Sequence, residues 1–542
     1  MNIPLKLKEQ SQANGQRLAL IENKMGIERS VTFEQLDKSS DQLAIYFRKQ
    51  GIKYNDTALV LHTMCIELYN IIFALFKLGV KAMLVDPSSG LPFMETCFEL
   101  ERPHALITSS RGSLLPFVST AVQNIPMKFR TGLGLFSFKP IYLLSINLYN
   151  ILNVDDSDNK IDLNLVQGEL PALITFTSGS TGRPKGIIRT HDFLLHQHKA
   201  LEESLSLKEG AVEMTALPIF VLANLASGMT SIIPDINLRK PGKADGAKLL
   251  NQISQYKAQR IVAPPALLDR LADYCIKHKY SANSLQKIYT GGGPVFPKLM
   301  RKLKSIALHA DIIAVYGSTE AEPIAHIALS QISPNDFEQI KSGAGLLTGL
   351  PEAHVSLRII KPLVTTDQLQ QFTSKEFDSI TQAAKVAGEI VVTGDYVIKG
   401  YVRGQGDSQT KFKVDSQVWH RTGDAGYLDN EGRLWLLGRE SAKIVDQHGV
   451  LYSFQAEGAA SEHPNVKRAA CVSNNGKRTL VVQLHDAFHR RQRNEEQEII
   501  KALKNNLQSL NIEEIHIHKR IPVDRRHNSK VDYAAVIKSL QK

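Results

Sequence analysis

The stretch that decides the fold is Thr175-Phe-Thr-Ser-Gly-Ser-Thr-Gly-Arg-Pro-Lys-Gly186. From Thr177 through Ser178, Gly179, Ser180 and Thr181 to Gly182, each side chain is a hydroxyl or absent. Glycine lets the backbone approach phosphate oxygens, and serine and threonine hydroxyls donate to them. Lys185 adds a point charge near the loop's end. The pattern is not a Walker loop, because Gly186 follows the lysine where Ser or Thr is required. Ahead of the loop runs Pro171-Ala-Leu-Ile-Thr-Phe176, which reads as a strand. A glycine turn at the carboxyl end of a strand is where open α/β sheets bind ligands. A surface linker would need neither the lysine nor the strand.

Working outward, strand and helix patterns alternate on both sides. Residues 31–51 and 64–79 have helical apolar spacing, and 56–62 and 80–87 read as short strands. The alternation returns at 246–320, with helices at 246–257, 264–278 and 296–309 and strands at 259–263, 285–293 and 311–320. This predicts parallel α/β layers with right-handed crossovers. Beyond about residue 340 the β-runs shorten and carry glycines, as in 388–402 and 432–440, which predicts a small β-barrel or antiparallel sheet. From 441 a small α+β unit is expected: helices near 454–463 and 494–509, strands near 468–474, 478–485 and 513–518.

The chain has 542 residues, enough for about three to four structural units. Its 22% charged and 43% hydrophobic residues exclude a wholly disordered or fibrous chain. The net charge of +11 suits anionic partners of several kinds. No RNP-like string, KH loop or basic–aromatic alternation accompanies it, so nucleic acid is not an expected partner. Cys65, Cys97, Cys275 and Cys471 form no CxxC pair, which argues against a zinc ribbon and for reduced thiols in a cytoplasmic protein. No uncharged apolar run reaches the ~18 residues of a membrane helix. The nearest, 131–153, is broken by Lys139 and is expected to be buried or substrate-lining. In the segment 114–153, Phe117, Phe129, Phe136, Phe138 and Tyr142 are expected to wall a long acyl pocket or pack a core. His191, His196 and His198 are expected in solvated or capping roles, not as metal ligands, because spacings of five and two do not read as one helix face.

Further motifs follow in order. They are Gly291-Gly292-Gly293-Pro294, Tyr316-Gly317-Ser318-Thr319-Glu320, Gly388-Glu389, Gly400-Tyr401, Arg421-Thr-Gly-Asp424 and Gly438-Arg439. Near the end comes Ile521-Pro-Val-Asp-Arg-Arg-His-Asn-Ser-Lys-Val531. With the loop at 175–186, these motifs closely resemble those of the adenylate-forming superfamily, which includes acyl-CoA synthetases, luciferases and peptide-synthetase adenylation domains. The resemblance spans nearly the whole chain. It implies ATP and Mg²⁺, with Thr319 at the α-phosphate, Glu320 as a metal ligand and Tyr316 against adenine. Gly291, Gly292 and Gly293 would form the turn beside that base. It also implies that Asp424 and Arg439 reach the ribose, and that Lys185 and Lys530 serve the phosphates and the carboxylate. A domain at 1–440 and a mobile one at 441–542 complete the implied plan, with Ser441 at the hinge.

That chemistry suits the residues. A carboxylate is a poor electrophile, and joining it to the α-phosphorus of ATP with loss of pyrophosphate makes it a good one. The barrier is charge crowding, which cations and a metal relieve.

Several positions depart from the ordinary ligase. Arg526-His-Asn-Ser-Lys530 replaces a Gly-Lys ending, Gln455 and Glu457 stand in a Pro-x-Glu-Ile-Glu position, and Val221 follows Leu217-Pro-Ile-Phe220 where a polar gate residue is usual. These features, with Phe73–Gly79, Leu84–Pro87, Thr230–Asp235 and His420, resemble the olefin-pathway β-lactone synthetases. That branch implies a 2-alkyl-3-hydroxy fatty acid whose own hydroxyl displaces AMP. It also implies work beside a condensing enzyme and a reductase. Asp524 and His527 are candidate bases there. Thioester formation on CoA or an acyl-carrier protein is the alternative, and a non-catalytic adenylate-binding protein the remoter one.

Overall fold

The computed structural model describes residues 2–24, 26–86, 89–109, 112–131, 144–146, 161–178, 183–364, 366–485, 493–524 and 529–541. The described chain forms two compact units. One comprises residues 1–235 with 398–407, the other 236–397 with 408–542.

In the first unit, Thr32 caps the helix Phe33–Lys49 through a reciprocal box with Gln35. That helix buries Phe33, Leu36, Leu43 and Phe47. The helix Ile66–Lys77 is buried almost all round, down to its last residue. Lys77 is tolerated there because its Nζ meets Asp37 Oδ1 at 2.5 Å and Asp41 Oδ1 at 2.7 Å. These helices cover a sheet in the order Leu144–Ile146, Met127–Thr131, Ala105–Ser109, Thr57–Leu61, Lys81–Leu84, Pro171–Ser178, Pro184–Thr190. All pairs are parallel except the last, an antiparallel hairpin. Strands covered on both faces read as unbroken apolar runs, and every residue of Thr57–Leu61 is buried. A second group of strands in this unit pairs Leu18–Lys24 with Ile27–Thr32 and Thr230–Ile233, and the latter with Val212–Thr215.

The second unit begins with the repeating pattern read at 246–320. Helices Gly246–Gln255, Pro265–His278 and Pro297–Ile306 alternate with strands Arg260–Ala263, Lys287–Thr290 and Asp311–Ser318, which pair in parallel. Ala321–Ala328 then turns back antiparallel. Beyond 340, seven strands form a mainly antiparallel sheet. Gln417–Leu428 is its long central strand, flanked by Gly388–Gly394 and Leu434–Arg439. The α+β segment near the C-terminus has helices Ser453–Ser461 and Arg493–Asn506 and strands Val466–Asn474, Lys477–Leu484 and Glu514–Ile517, each within a few residues of expectation.

Among the described residues no helix is long and apolar enough to cross a membrane. Most of 131–153 lies outside the described residues, as do Phe136, Phe138 and Tyr142. Phe129 packs edge-on against Phe47 in the core, and Phe117 is exposed, so neither walls a pocket. The four cysteines are buried thiols, and burial pushes Cys97 up to about 12 and Cys275 up to about 11.

The histidine expectation needs correcting. His191 and His198 are seven residues apart, two helical turns, and so share the inward face. His191 is fully buried, edge-on to Phe76, and burial lowers it to about 4. His198 Nε2 pairs with Ser227 Oγ at 2.8 Å. Only His196 is solvated.

Candidate functional site

In the first unit the 175–186 stretch is a hairpin. Thr177 lies opposite Lys185, and Ser178 opposite Pro184. Gly179, Ser180, Thr181 and Gly182 lie outside the described residues. Lys185 is buried, with its Nζ 5.3 Å from the centre of the Tyr401 ring. Gly186 is required by packing: a Cβ there would lie 2.7 Å from Val402 Cγ2 and 3.0 Å from Phe176 Cε1. That contact explains why glycine, not the Ser or Thr of a Walker loop, follows the lysine. Gly406 backs the same lysine, since a Cβ on it would lie 2.9 Å from Lys185 Nζ. Tyr401 in turn is fixed by its N–H, which donates to Asp407 Oδ1 at 2.8 Å.

In the second unit the motifs converge at the carboxyl ends of neighbouring parallel strands. Lys287–Thr290 runs into Gly291, Gly292 and Gly293. Gly291 lies so close to the next strand that a Cβ would meet Val315 O at 2.6 Å, and Gly292 takes a φ of +74°. Asp311–Ser318 ends in Tyr316, Gly317 and Ser318, and the chain reverses through Thr319 and Glu320. Ser318 Oγ accepts from the Glu320 N–H at 3.2 Å, which holds the turn. Thr319 is exposed and Glu320 half-buried.

Asp424 is the best-anchored residue of the group. Its N–H donates to Thr422 Oγ1 at 3.1 Å, and Thr422 donates to Ile390 O at 2.8 Å. The Tyr316 hydroxyl donates to Asp424 Oδ2 at 2.9 Å. Arg439 stands directly across the strand pair, with Nε 3.1 Å from Asp424 Oδ1 and Nη1 3.0 Å from Thr422 O. Burial and the neighbouring carboxylate push the Tyr316 phenol well up, so it stays a donor. Asp424 raises Arg439 most, with Glu320 and Tyr533 adding to the field. Tyr316, Glu320, Asp424 and Arg439 are therefore one electrostatic group, although Tyr316 and Asp424 lie 108 residues apart.

Behind it, Glu389 is clamped by Arg421, whose Nε and Nη2 reach Glu389 Oε2 at 2.9 and 2.7 Å. Despite that clamp, burial raises Glu389. The pair lies on adjacent strands and braces the one that carries Asp424.

The C-terminal motif is a hairpin closed by one carboxylate. Asp524 Oδ1 accepts from Lys530 N at 2.9 Å and Ser529 N at 3.3 Å, and Asp524 N donates to Lys530 O at 2.8 Å. Asp524 thereby holds two backbone N–H groups, a structural duty that the sequence alone does not announce. His527 lies outside the described residues, and Lys530 is exposed. Ser441 is exposed in a single helical turn, Glu440–Ala442.

The departures from the ordinary ligase have local reasons. Gln455 accepts from Tyr452 N at 3.0 Å and donates to Gly343 O at 3.1 Å, and a carboxylate could not make the second bond. Glu457 is buried, accepting from Cys471 N at 3.1 Å and from the Tyr533 hydroxyl at 3.0 Å, and burial raises it to about 8. Val221 is fully buried in the helix Pro218–Ala226, where a polar side chain would lack a partner.

For a divalent cation, this group offers the Glu320 carboxylate, half-buried beside the strand end. Mg²⁺ commonly takes one or two protein carboxylates and completes its shell with water and phosphate, so that donor fits. The tighter cluster Glu22, Cys65 and Glu67 already holds a cation, the Arg29 guanidinium, which donates to both carboxylates.

A glycine-rich turn, an aromatic ring at parallel strand ends and a carboxylate braced by Tyr316 and Arg439 make this the candidate site of the α/β fold. The AMP-binding enzyme pattern matches residues 7–402, and the chain belongs to that family. It is an adenylate-forming ligase. It is 28% identical over 520 residues to the olefin β-lactone synthetase of Stenotrophomonas maltophilia strain K279a, covering 93% of this chain and 90% of that one. Identity is 25% over 477 residues to the 2-succinylbenzoate–CoA ligase of Bacillus licheniformis, 86% of either chain. Among solved structures, the amide bond synthetase of Marinactinospora thermotolerans superposes with a TM-score of 0.77 at 19% identity, covering 99% of both chains. The O-succinylbenzoate coenzyme A synthetase of Bacillus subtilis in complex with ATP and magnesium gives 0.72 at 21%, covering 98% of both.

Proposed function

We propose that this chain uses ATP to adenylate a long-chain 3-hydroxy fatty acid and then closes the product to a β-lactone. The observation that carries this reading is the near full-length similarity to olefin β-lactone synthetases, which covers 93% of the chain. It is supported by the braced group of Tyr316, Asp424 and Arg439, which suits a ribose and base.

In the first step a carboxylate oxygen bonds to the α-phosphorus of ATP and the bond to pyrophosphate breaks. Asp424 accepts from the ribose hydroxyls, with Arg439 beside it, and this orients the nucleotide. Thr319 and Ser318 donate to the α-phosphate. Thr177, Ser178, Gly179, Ser180, Thr181 and Gly182 cradle the outer phosphates, with Lys185 as counter-charge. Glu320 would hold Mg²⁺, which when bound neutralises phosphate charge. Lys530 donates to the carboxylate and the α-phosphate as negative charge gathers between them.

In the second step the 3-hydroxyl oxygen attacks the activated carbonyl and loses its proton, and AMP leaves. The nucleophile is already tethered, so no second substrate has to be ordered. A domain boundary at 440/441 leaves the 441–542 segment free to move between steps. A carbon–carbon condensation and a ketone reduction must supply such an acid. Thioester formation is the second reading, favoured by the similarity to 2-succinylbenzoate–CoA ligases.

Incubation with ATP, Mg²⁺ and a 3-hydroxy fatty acid, with and without CoA, separates the two by mass spectrometry. Lactone without CoA is the expected result. Product only in the presence of CoA overturns the lactone reading and leaves adenylation standing.

A further inference from the structure

Ser529 stands directly before Lys530, at the position where the ordinary ligase ending has glycine. The hairpin fixes where its side chain can go. Asp524 Oδ1 accepts from both the Ser529 and the Lys530 N–H, and Val523 bridges to Val531. Val531 packs on a small core that contains Ala470, Val472, Val481, Ile521 and Val536. The backbone on either side of Ser529 is thus tied to the folded segment.

The hydroxyl is brought against the glycine turn at the end of Lys287–Thr290. A Cβ on Gly293 would lie 3.0 Å from Ser529 Cβ and closer still to its hydroxyl. Any side chain at 293 would displace it. Ser529 Oγ is out of contact with solvent and has no hydrogen-bond partner among the described residues. An orphaned buried hydroxyl has lost its hydration without gaining a bond in return. Such a cost is commonly recovered when a ligand arrives. Thr290 Oγ1, at the end of the same strand, is orphaned too, so two unpaired hydroxyls flank the three glycines. Polar groups left unpaired at parallel strand ends point to a ligand that pairs them.

We propose that the Ser529 hydroxyl is a binding residue that hydrogen-bonds directly to the bound acyl-adenylate in the space that Gly293 leaves open. It rests on the adenylation reading above. The bond completes when the Lys530 hairpin lies against the glycine turn, so it adds to affinity for the activated intermediate. A glycine at 529 would leave that space unfilled. Two portions of the ligand offer the required acceptor, the nucleotide and the acid, and kinetics distinguish them.

The test measures binding of an acyl-sulfamoyl adenosine, a non-hydrolysable mimic of the intermediate, by calorimetry. Wild type, Ser529→Ala and Ser529→Gly are compared, with ATP–pyrophosphate exchange run in parallel. Loss of one such bond should weaken mimic binding about three- to ten-fold in both variants, with Tm not lowered for Ser529→Ala. A rise in KM for ATP alone assigns the bond to the nucleotide, and a rise for the acid alone assigns it to the acyl portion. Gly293→Ala, which pushes the hydroxyl away, should give a loss at least as large. Equal mimic affinity in wild type and Ser529→Ala overturns the proposal, and so does weaker binding matched by a drop in Tm and restored on cooling. Failure of the wild-type protein to bind the mimic at all instead removes the adenylation reading on which the proposal stands.

Discussion

Lys185 and Lys530 are given parallel chemical duties, yet their surroundings are opposites. Lys185 is buried on a hairpin strand, with Tyr401 over its ammonium and Gly406 against its stem. Lys530 is exposed on a hairpin whose backbone is held by Asp524. A buried cation packed this way is set before substrate arrives and also carries part of the fold. An exposed one on a braced turn contributes less to stability than a buried one. The contrast predicts that removing each will separate activity from stability in different proportions.

The largest effect is expected at Lys530. Lys530→Ala should lower the rate of acyl-adenylate formation about 10²–10³-fold with Tm unchanged, read by pyrophosphate exchange and thermal unfolding. Unchanged exchange would remove Lys530 from the mechanism. Lys185→Ala should lower exchange too, but with a loss of about 1–3 kcal/mol in stability, because a buried stem and a cation–aromatic contact disappear. Equal stability of the two lysine variants in urea would break the comparison. Asp524→Ala should reduce exchange about ten-fold by freeing the hairpin, whereas Asp524→Asn, which keeps an acceptor oxygen, should retain most of it.

The smallest effect concerns pH. Glu457 is raised to about 8 in the fold against about 4.5 unfolded, so the folded state binds the extra proton between those values. Its contribution is therefore fully favourable below about pH 4.5 and is lost as pH rises towards 8. Glu457→Gln keeps an acceptor for Tyr533 and cannot ionise. The variant should match wild type near pH 5 and exceed it in Tm near pH 8.5. A gap of constant size across that range would show that Glu457 does not titrate there.

Reading the chain alone recovered the alternating layers at 246–320 to within three residues, because helical and strand periods differ and prolines mark two of the helix starts. It also found the glycine turns, since close backbone approach leaves few other residues possible. It misplaced His191 and His198, because spacings were counted pairwise and the seven-residue interval was overlooked. It left Asp524 as a possible base, although the residue closes a turn. Nothing local announces which of its neighbours a carboxylate will bond.

The branch-like residues make the same point. Gln455, His420 and Glu457 carry part of the resemblance to the β-lactone synthetases, which similarity over 93% of the chain bears out. In the fold His420 Nδ1 lies 3.0 Å from Lys411 Nζ, and Gln455 and Glu457 join buried polar contacts. Buried polar groups need partners, and a changed partner changes the residue without any change in substrate.

Residue types and their order determined the layered α/β plan, the phosphate-type loop and the family, because those features depend on short-range spacing and on backbone freedom at glycine. Tertiary structure alone decided which distant groups each carboxylate meets. Tyr316, Asp424 and Arg439 meet across 123 positions of sequence, and Ser529 meets Gly293 across 236. Hydrogen bonds over such separations exist only once strands have taken their register, and no local pattern encodes them.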